Sequence, residues 1–330
     1  TNRDYEPYAK TRDKAVEQLL FKEDIKFKSF KDQVIFEGQQ VLKSDNTPYT
    51  VYTPYKNKWR SMFTLDSLAS CHSEKENNYI KQKLSFPSIE KLGFEPSDIQ
   101  VNQIQLEDLD NYDQDRNIPH KDATSYLGPH LRFGTVSIRA IALKLNQNET
   151  FLNELVWREF FMQILYNFPR IVTENFKKKY DNVQWRNNQE DFKRWCGGNT
   201  GYPMVDAGMR QLNATGYMHN RVRMITAGFL CKHLLIDWKW GEAYFAKKLL
   251  DYELASNNGN WQWSAGTGCD SAPYFRIFNP AEQIKKFDKE LRYIKKWVPE
   301  FQSLTYPAPM VDHKFARERA LSTYKIGLGT

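Results

Sequence analysis

The sequence predicts a mainly α-helical protein on three observations. From about residue 124 onward, apolar residues recur at helical spacing in segments 151–168, 203–215, 217–236 and 240–250. Short breaks bearing Gly, Pro or Asn separate these segments, as expected between neighbouring helices. The chain has 330 residues, enough for one large or two ordinary domains with a substantial apolar core.

The first part of the chain is mixed. The stretch RDKAVEQLLFKE (12–23) has helical spacing, whereas IKFKSFKDQVIFE (25–37) alternates apolar and polar residues in part, as a half-buried strand does. A turn-rich loop, SDNTPYT (44–50), follows. The polar stretch from about 72 to 120 shows little periodicity and is predicted to cross the surface as a connector.

Composition narrows the class of protein. The net charge of +7 favours an acidic partner such as a nucleic acid, although basic proteins without one are common and the charge leaves both readings open. No local zinc motif or disulfide framework is predicted from the four cysteines, Cys71, Cys196, Cys231 and Cys269, which suit reduced thiols of a cytoplasmic protein. No apolar run could cross a bilayer, and TNRDYEPYAK lacks the apolar stretch of a signal peptide.

One apolar helical segment carries polar groups. In FLNELVWREFFMQIL (151–165), Glu154, Trp157 and Arg158 lie at i, i+3 and i+4 and therefore share one face. A carboxylate, an indole and a guanidinium on such a face suit a binding site. The alternative is an intrahelical pair between Glu154 and Arg158, worth about a few tenths of a kcal/mol.

The segment GYMHNRVRMITAGFL (216–230) places its polar residues before an apolar run. The first turns contain His219, Asn220, Arg221 and Arg223. An arginine near a helix start opposes the macrodipole, so this placement indicates an external anion or carboxylate rather than helix stability. A solvated basic helix end is the alternative.

The stretch ASNNGNWQWSAG (255–266) combines small residues, amides and indoles in a chain whose aromatic fraction is 15%. Ala255, Ser256 and Gly259 would let a planar ligand approach the backbone closely. In a helix Trp261 and Trp263 point about 200° apart, so one indole can face a buried cofactor and the other a second ligand. Ordinary burial of each indole is the alternative.

Several longer motifs resemble one family. Residues 195–280, running from WCGGNTGYPMVDAG through DYELASNNGNWQWSAG to YFRIFNP, resemble the flavin-binding half of the DNA photolyase and cryptochrome family. TSYLGPHLRFGTVS (124–137), LVWREFF (155–161) and YPAPMVDHKFAR (306–317) fit the same family in the same order. The resemblance covers residues 105–325 and implies an all-helical FAD-binding domain.

The start of the chain resembles the last part of the family's N-terminal antenna domain, a Rossmann-like α/β unit. NRDYEPYAKTRD (2–13) and TPYTVYTPYKNKW (47–59) carry this resemblance. It implies a partial antenna domain over 1–60, a connector over 61–120 and a helical FAD-binding catalytic domain over 121–330. The first strands of the antenna domain have no match here, so the sequence is expected to be partial. Any antenna chromophore of the intact protein would bind in that domain, and the sequence does not identify it.

The resemblance also implies which residues hold FAD. The matching positions are Tyr112, Thr124, Ser125, Leu127, Gly128, Arg158, Arg223, Asp251, Glu253 and Asn257. Arg223 and Asp251 match an ion pair beside the flavin, and Asn257 matches the position facing flavin N5. Gly128 replaces a common serine, so backbone N–H groups would take over one hydroxyl contact. Glu253 replaces a common aspartate and has a longer reach.

Electron-transfer and DNA-binding positions follow from the same resemblance. Trp261, Trp238 and Trp185 match a chain of indoles that leads from the flavin to the surface. Trp157 and Trp263 match the two indoles around a flipped-out dimer, and Glu154 matches the carboxylate that contacts the thymine edge and stabilises the anion radical. The DNA-contacting positions are Arg116, Asn220, Arg221 and Gln283.

The implied activity is light-driven repair of cyclobutane pyrimidine dimers, in which excited reduced FAD gives an electron to the dimer and regains it after the ring opens. MHNRVRM, Trp157 and Trp263 favour the microbial dimer photolyases, and the expected partner of this monomer is damaged DNA rather than a membrane. A cryptochrome-type blue-light photoreceptor without repair activity is the main alternative. A flavin-free DNA-binding remnant is a third hypothesis.

Overall fold

The computed structural model describes residues 1–68, 82–107 and 109–329, so Cys71 lies outside the described part. The mainly α prediction is confirmed. The α-helices are α1 (Pro7–Lys22), α2 (Tyr52–Met62), α3 (Tyr112–Asp115), α4 (Leu127–Arg132), α5 (Ile138–Lys144), α6 (Glu149–Asn167), α7 (Gln189–Cys196), α8 (Pro203–Thr215), α9 (Asn220–Gly228), α10 (Trp238–Lys248), α11 (Leu254–Ala265), α12 (Pro280–Phe287), α13 (Arg292–Trp297) and α14 (His313–Leu328). Short 3-10 helices lie at Leu65–Leu68, Glu90–Leu92, Pro169–Val172 and Lys178–Tyr180.

Helix ends follow the local signals of the sequence. Helix α8 has the predicted limits, with Pro203 at its first position and Gly216 in the left-handed region at φ 67° just beyond its end. The segment 217–236, which was predicted to be helical, is helical over residues 220–233 but changes helix type within them. Helix α9 gives way to a π-helical turn at Phe229–His233. This turn brings Lys232 into the core, where its ammonium donates to Ala265 O and Tyr274 O at 2.8 and 3.2 Å.

The predicted strand at 25–37 does not form. Phe30 makes one isolated parallel bridge to Asn2, and no strand occurs among the residues that the structure describes. Some of the segment's backbone carbonyl groups accept hydrogen bonds from side chains of distant helices rather than from a neighbouring strand. Arg139 donates to Asp32 O and Val34 O, and Arg158 donates to Gln33 O. Within this segment Val34, Ile35 and Phe36 are buried, whereas Ile25 and Phe30 are exposed.

Two contiguous cores surround the site. The first contains α2, α5 and α6 together with residues near the start of the chain, and the second contains α8, α9, α10 and α13. Helix α11 joins them, because Ala255 belongs to the first core and Trp261 to the second. Gly259 lets α11 approach α6, since a Cβ at this position would overlap the ring of Phe161.

Within the predicted connector, residues 82–105 are mostly exposed and contain one short 3-10 helix, whereas Leu106 and Leu109 are buried in the first core. Within the described part of the chain, no helix is both long and apolar enough to span a membrane. The division at residues 60 and 120 stays a prediction.

Candidate functional site

Two adjoining depressions lie where α6, α9 and α11 meet. The main cavity has a volume of about 350 Å³, and the side recess, which runs along residues 124–132, has about 310 Å³. Both volumes lie near the lower end of the range for ligand pockets. The residues shared by both are Glu154, Arg158, Asn220, Arg223, Asp251, Glu253 and Ser256. The two depressions therefore form one continuous site.

Most of the predicted site residues meet here. The main cavity adds Arg116, Trp157, Asn257, Trp261 and Trp263 to the shared set. The side recess adds Tyr112, Thr124, Ser125, Leu127 and Gly128. Four predicted residues lie outside both linings, namely Trp185, Trp238, Arg221 and Gln283.

The side recess presents hydroxyl groups and, at Gly128, a backbone that carries no side chain. Tyr217 donates to Thr124 Oγ1 at 3.2 Å, which leaves the Thr124 hydroxyl free to donate its own hydrogen. Gly128 lies against Asp251, and a Cβ at position 128 would come 2.7 Å from Asp251 Cβ. A serine at this position therefore needs a shift of the aspartate. Gly128 therefore leaves the space that Asp251 occupies.

The expected pair between Arg223 and Asp251 is present. Arg223 donates to both carboxylate oxygens, at 3.1 and 2.7 Å, and its Nε donates to Met218 O at 2.7 Å. Asp251 is therefore the carboxylate partner that the sequence predicted for an arginine near the start of α9. The two side chains are only 24% and 15% exposed, so the pair is largely removed from water.

Glu253 is occupied by the start of α11. Its carboxylate accepts the backbone N–H groups of Ala255 and Ser256, both at 2.8 Å. An acidic N-cap also suits the positive end of the helix. Glu253 therefore acts locally as a cap, and its side chain lines the site from that fixed position.

The Asn257 amide has a defined orientation. Its NH₂ group donates to Glu242 O and to Glu242 Oε1, both at 3.1 Å. Because two acceptors face one end of the amide, the nitrogen must lie there, and Oδ1 remains as the acceptor. Burial raises the pKa of Glu242. Glu242 could not be recognised from the sequence, because its role depends on the packing of α10 against α11.

Glu154 and Arg158 do not pair with each other, so the intrahelical alternative was wrong. Glu154 pairs with Arg116, which follows α3 directly, and Arg158 donates to Gln33 O at 2.6 Å. Burial raises the pKa of Glu154 more than the neighbouring Arg116 lowers it. The carboxyl group at the cavity thus holds its proton more tightly than a solvated glutamate does.

Trp261 and Trp263 differ in burial, as expected for side chains on different faces of α11. Trp261 is 2% exposed and packs against Trp195 and Phe245, with ring centroids 6.1 and 5.0 Å away. Trp263 is half-buried, and both indoles reach the main cavity. The alternative in which each indole only fills the core is therefore incomplete.

Trp238 and Trp185 do not line either depression. Trp238 is 1% exposed and donates to Asn175 Oδ1 at 2.8 Å. Trp185 packs partly buried against the second core and meets Tyr324 edge-on at 5.9 Å. These two residues share one apolar region with Trp261, and their role in electron transfer stays a prediction.

Arg221 and Gln283 are placed beside the site rather than in its walls. Arg221 donates to Asn117 Oδ1 at 2.7 Å, and its guanidinium lies 4.3 Å from the ring centre of Phe287. Gln283 lies on α12, the helix that ends at Phe287. A contact with DNA at these positions stays a prediction.

His219 caps α9 and provides a pH test. Its Nδ1 accepts the N–H of Arg221 at 3.2 Å, and burial, followed by the charges of Arg223 and Arg221, lowers its pKa to about 4. Since the unfolded pKa is about 6.5, this group contributes stability that is complete above pH 6.5 and is lost as the pH falls through 4. The expected loss is roughly 3 kcal/mol.

The measurement is urea unfolding between pH 7 and 4 for the unaltered protein and for His219→Asn. Asparagine retains an N-cap acceptor but does not titrate, so the slope of stability against pH should become smaller. Some slope should remain, because burial also lowers the pKa of His233 to about 3. Equal slopes in both proteins would show that His219 does not titrate differently on folding.

Several lining residues were not predicted. They are Tyr126, Leu131, Arg132, Phe161, Tyr217, Met218, Met224, Ala227, Phe245, Leu249, Tyr252, Asn260 and Ser264. Tyr252 could have been found, because it lies between two predicted carboxylates in the chain. The apolar members carry no local signal, since core positions with the same spacing look identical in the sequence.

Known proteins resemble the chain over nearly its whole length. The family model described as "FAD binding domain of DNA photolyase" matches residues 151–305, and the model described as "DNA photolyase" matches residues 1–74. A curated relative from Vibrio cholerae, named deoxyribodipyrimidine photo-lyase, is 37% identical to this chain. The alignment covers 99% of this chain and 79% of the relative.

Solved structures agree with this likeness. A bacterial class III photolyase from Agrobacterium tumefaciens has a TM-score of 0.85 and 34% identity, covering 100% of this chain and 79% of that one. An archaeal photolyase from Sulfolobus tokodaii, solved with two FAD molecules, has a TM-score of 0.83 and 33% identity, covering 98% of this chain and 78% of that one.

Proposed function

The chain belongs to the DNA photolyase family, and from this premise we propose that it uses light to repair cyclobutane pyrimidine dimers in DNA. The observation that carries the proposal is one continuous site. It combines the pair of Arg223 and Asp251 with the indoles of Trp157 and Trp263. A charged pair beside apolar walls suits a cofactor, and two flat rings at the same cavity suit an unstacked base.

The residues of the site fit FAD. The hydroxyls of Thr124 and Ser125 in the side recess are donors suited to the diphosphate, and Gly128 keeps the backbone accessible there. Phe245, Leu249 and Trp261 give the main cavity apolar walls suited to a flat ring system. Bound FAD would supply the light-absorbing group that donates an electron to the dimer.

The chain's own groups prepare the cofactor end of the site. The Oδ1 atom of Asn257 presents an acceptor, because Glu242 holds the NH₂ end of that amide. The Arg223 guanidinium brings positive charge, and Asp251 keeps it in place through two hydrogen bonds. We propose that the Arg223 guanidinium stabilises negative charge on the cofactor and that Asn257 Oδ1 accepts a hydrogen bond from it.

The other end of the site suits the dimer. We propose that Trp157 and Trp263 stack on its two rings, as aromatic side chains do on unstacked bases. Glu154 reaches the same cavity, paired with Arg116, and we propose that it hydrogen-bonds the edge of a dimer pyrimidine. We further propose that Trp185, Trp238 and Trp261 carry electrons between the surface and the site.

A repair assay tests the proposal. The purified chain is loaded with FAD, reduced and mixed with an oligonucleotide containing one cyclobutane thymine dimer, and absorbance near the thymine band is followed under blue light. Absorbance should recover in the light and remain constant in the dark. Bound flavin without recovery would favour the photoreceptor alternative, and failure to bind flavin would favour the flavin-free remnant.

Replacing Trp263 with alanine should weaken binding of the dimer by roughly 1–3 kcal/mol, the contribution of one stacking contact between a base and an aromatic ring. Binding in the dark and the spectrum of bound flavin are the two measurements. Trp297→Ala removes a partly buried indole from α13 and serves as the control, with dimer binding unchanged. Loss of flavin from Trp263→Ala would assign this indole to the cofactor instead.

A further inference from the structure

Trp157 is backed by another ring at the cavity wall. Tyr52, the first residue of α2, stacks on its indole with ring centroids 3.5 Å apart and planes inclined by 6°. Tyr52 is 8% exposed and does not line the cavity, whereas Trp157 does. The indole face that Tyr52 covers is therefore turned away from the cavity.

Tyr52 is fixed at both ends. Its backbone N–H donates to Asp270 Oδ2, and its hydroxyl donates to Asn153 O, each at 3.0 Å. Asn153 precedes Trp157 by one turn of α6, so the phenol is tied to the turn that carries the indole. Asp270 follows the end of α11, the helix that carries Trp263. Tyr52 thus links the elements that carry both cavity indoles.

Neighbouring rings complete the enclosure of the indole. Phe160 meets Tyr52 edge-on at 5.8 Å and Trp157 edge-on at 5.7 Å. Phe161 lies 5.6 Å from Trp157 at an angle of 30°. A side chain held in this way has lost its rotamer freedom before a ligand arrives, so stacking on its open face requires little further ordering.

We propose that Tyr52 is a positioning residue for the pyrimidine dimer. By backing the indole of Trp157, it presets the ring face on which the dimer stacks and thereby raises the preference for damaged over undamaged DNA. This inference rests on the proposed function, because it takes the dimer as the ligand of Trp157. Tyr52 itself touches neither the dimer nor the cofactor.

Binding in the dark tests the inference on the flavin-loaded protein. The probes are an oligonucleotide with one cyclobutane thymine dimer and the same oligonucleotide without it. Tyr52→Leu keeps apolar volume but removes the flat ring, and it should bind the dimer probe about 3- to 10-fold more weakly, the scale of one aromatic pair. Binding of the undamaged probe should not change. Tyr52→Phe keeps the ring and should retain the preference of the unaltered protein.

Tyr55→Leu is the matched control. Tyr55 lies one turn further along α2, is fully buried, and has Tyr49 and Phe160 as its ring neighbours. Its loss should lower the urea midpoint of unfolding without changing the preference for the dimer. This separates a general loss of packing from loss of the ring behind Trp157.

Three results would overturn the inference. They are an unchanged preference in Tyr52→Leu, a lost preference in Tyr52→Phe, and an equal loss in Tyr55→Leu. If Tyr52→Leu does not fold, Tyr52→Met replaces it, because a flexible side chain can fill the same space. If the unaltered protein itself showed no preference for the dimer probe, the proposed function would fail together with the inference.

Discussion

Replacing Asp251 with asparagine is expected to destabilise the folded protein by about 2–4 kcal/mol and to weaken its hold on FAD. The amide keeps the shape of the side chain but removes its charge. Arg223 would then remain beside a neutral group while its guanidinium is only 24% exposed. Breaking one side of a buried pair costs more than the intact pair contributes, because the remaining charge is desolvated without compensation.

Urea unfolding and the absorbance of retained flavin measure this effect. Asp191→Asn is the matched control, because Asp191 meets Arg186 through a contact of 3.1 Å with side chains 37% and 25% exposed for arginine and aspartate. That change should alter stability by less than about 1 kcal/mol. Adding Arg223→Met to Asp251→Asn removes the unpaired charge and should recover part of the lost stability, but not the flavin. Unchanged stability and flavin retention in Asp251→Asn would show that Arg223 does not depend on this carboxylate.

The fold was predictable wherever local signals decide the structure. Helix α8 starts at Pro203 and stops before Gly216, and both residues act within one turn of themselves. The segment 25–37 was not predictable in this way. Its alternation suits a strand, but the carbonyl groups of residues 32–34 accept from Arg139 and Arg158, which lie more than 100 positions away. Phe30 instead bonds to the backbone of residues 1 and 3. The buried residues Val34, Ile35 and Phe36 are consecutive, so the alternation did not show which residues are buried or what covers them.

The site was predictable in its composition and less so in its contacts. Motif resemblance indicated Asn257 and Trp157, and both line the main cavity. Their supports, Glu242 and Tyr52, were missed because each acts across a helix interface that no local pattern describes. Polar groups on apolar helix faces can be recognised from a sequence, whereas the residues that orient them require the packed structure.

The second large effect is expected at Glu159, which is 3% exposed on α6. Its carboxylate accepts the backbone N–H groups of Ile35 and Phe36 at 2.6 and 2.9 Å and Trp59 Nε1 at 2.7 Å. Glu159→Ala would leave three buried donors without partners. Each unsatisfied donor costs about 1–3 kcal/mol, so the free energy of unfolding should fall by about 3–5 kcal/mol after partial relaxation.

Glu159→Gln distinguishes the hydrogen bonds from packing. The amide oxygen can still serve two of the donors, but its NH₂ group must face the third, so a loss of about 1–3 kcal/mol is expected. Burial raises the pKa of Glu159 to about 7, so urea unfolding at pH 8 compares each variant with the ionised carboxylate. Glu149→Ala, at a side chain 70% exposed on the same helix, should cost less than about 1 kcal/mol. If Glu159→Gln equalled the unaltered protein at pH 8, the charge of Glu159 would not be needed, and residues 32–36 would be held chiefly by Arg158 of α6 and Arg139 of α5.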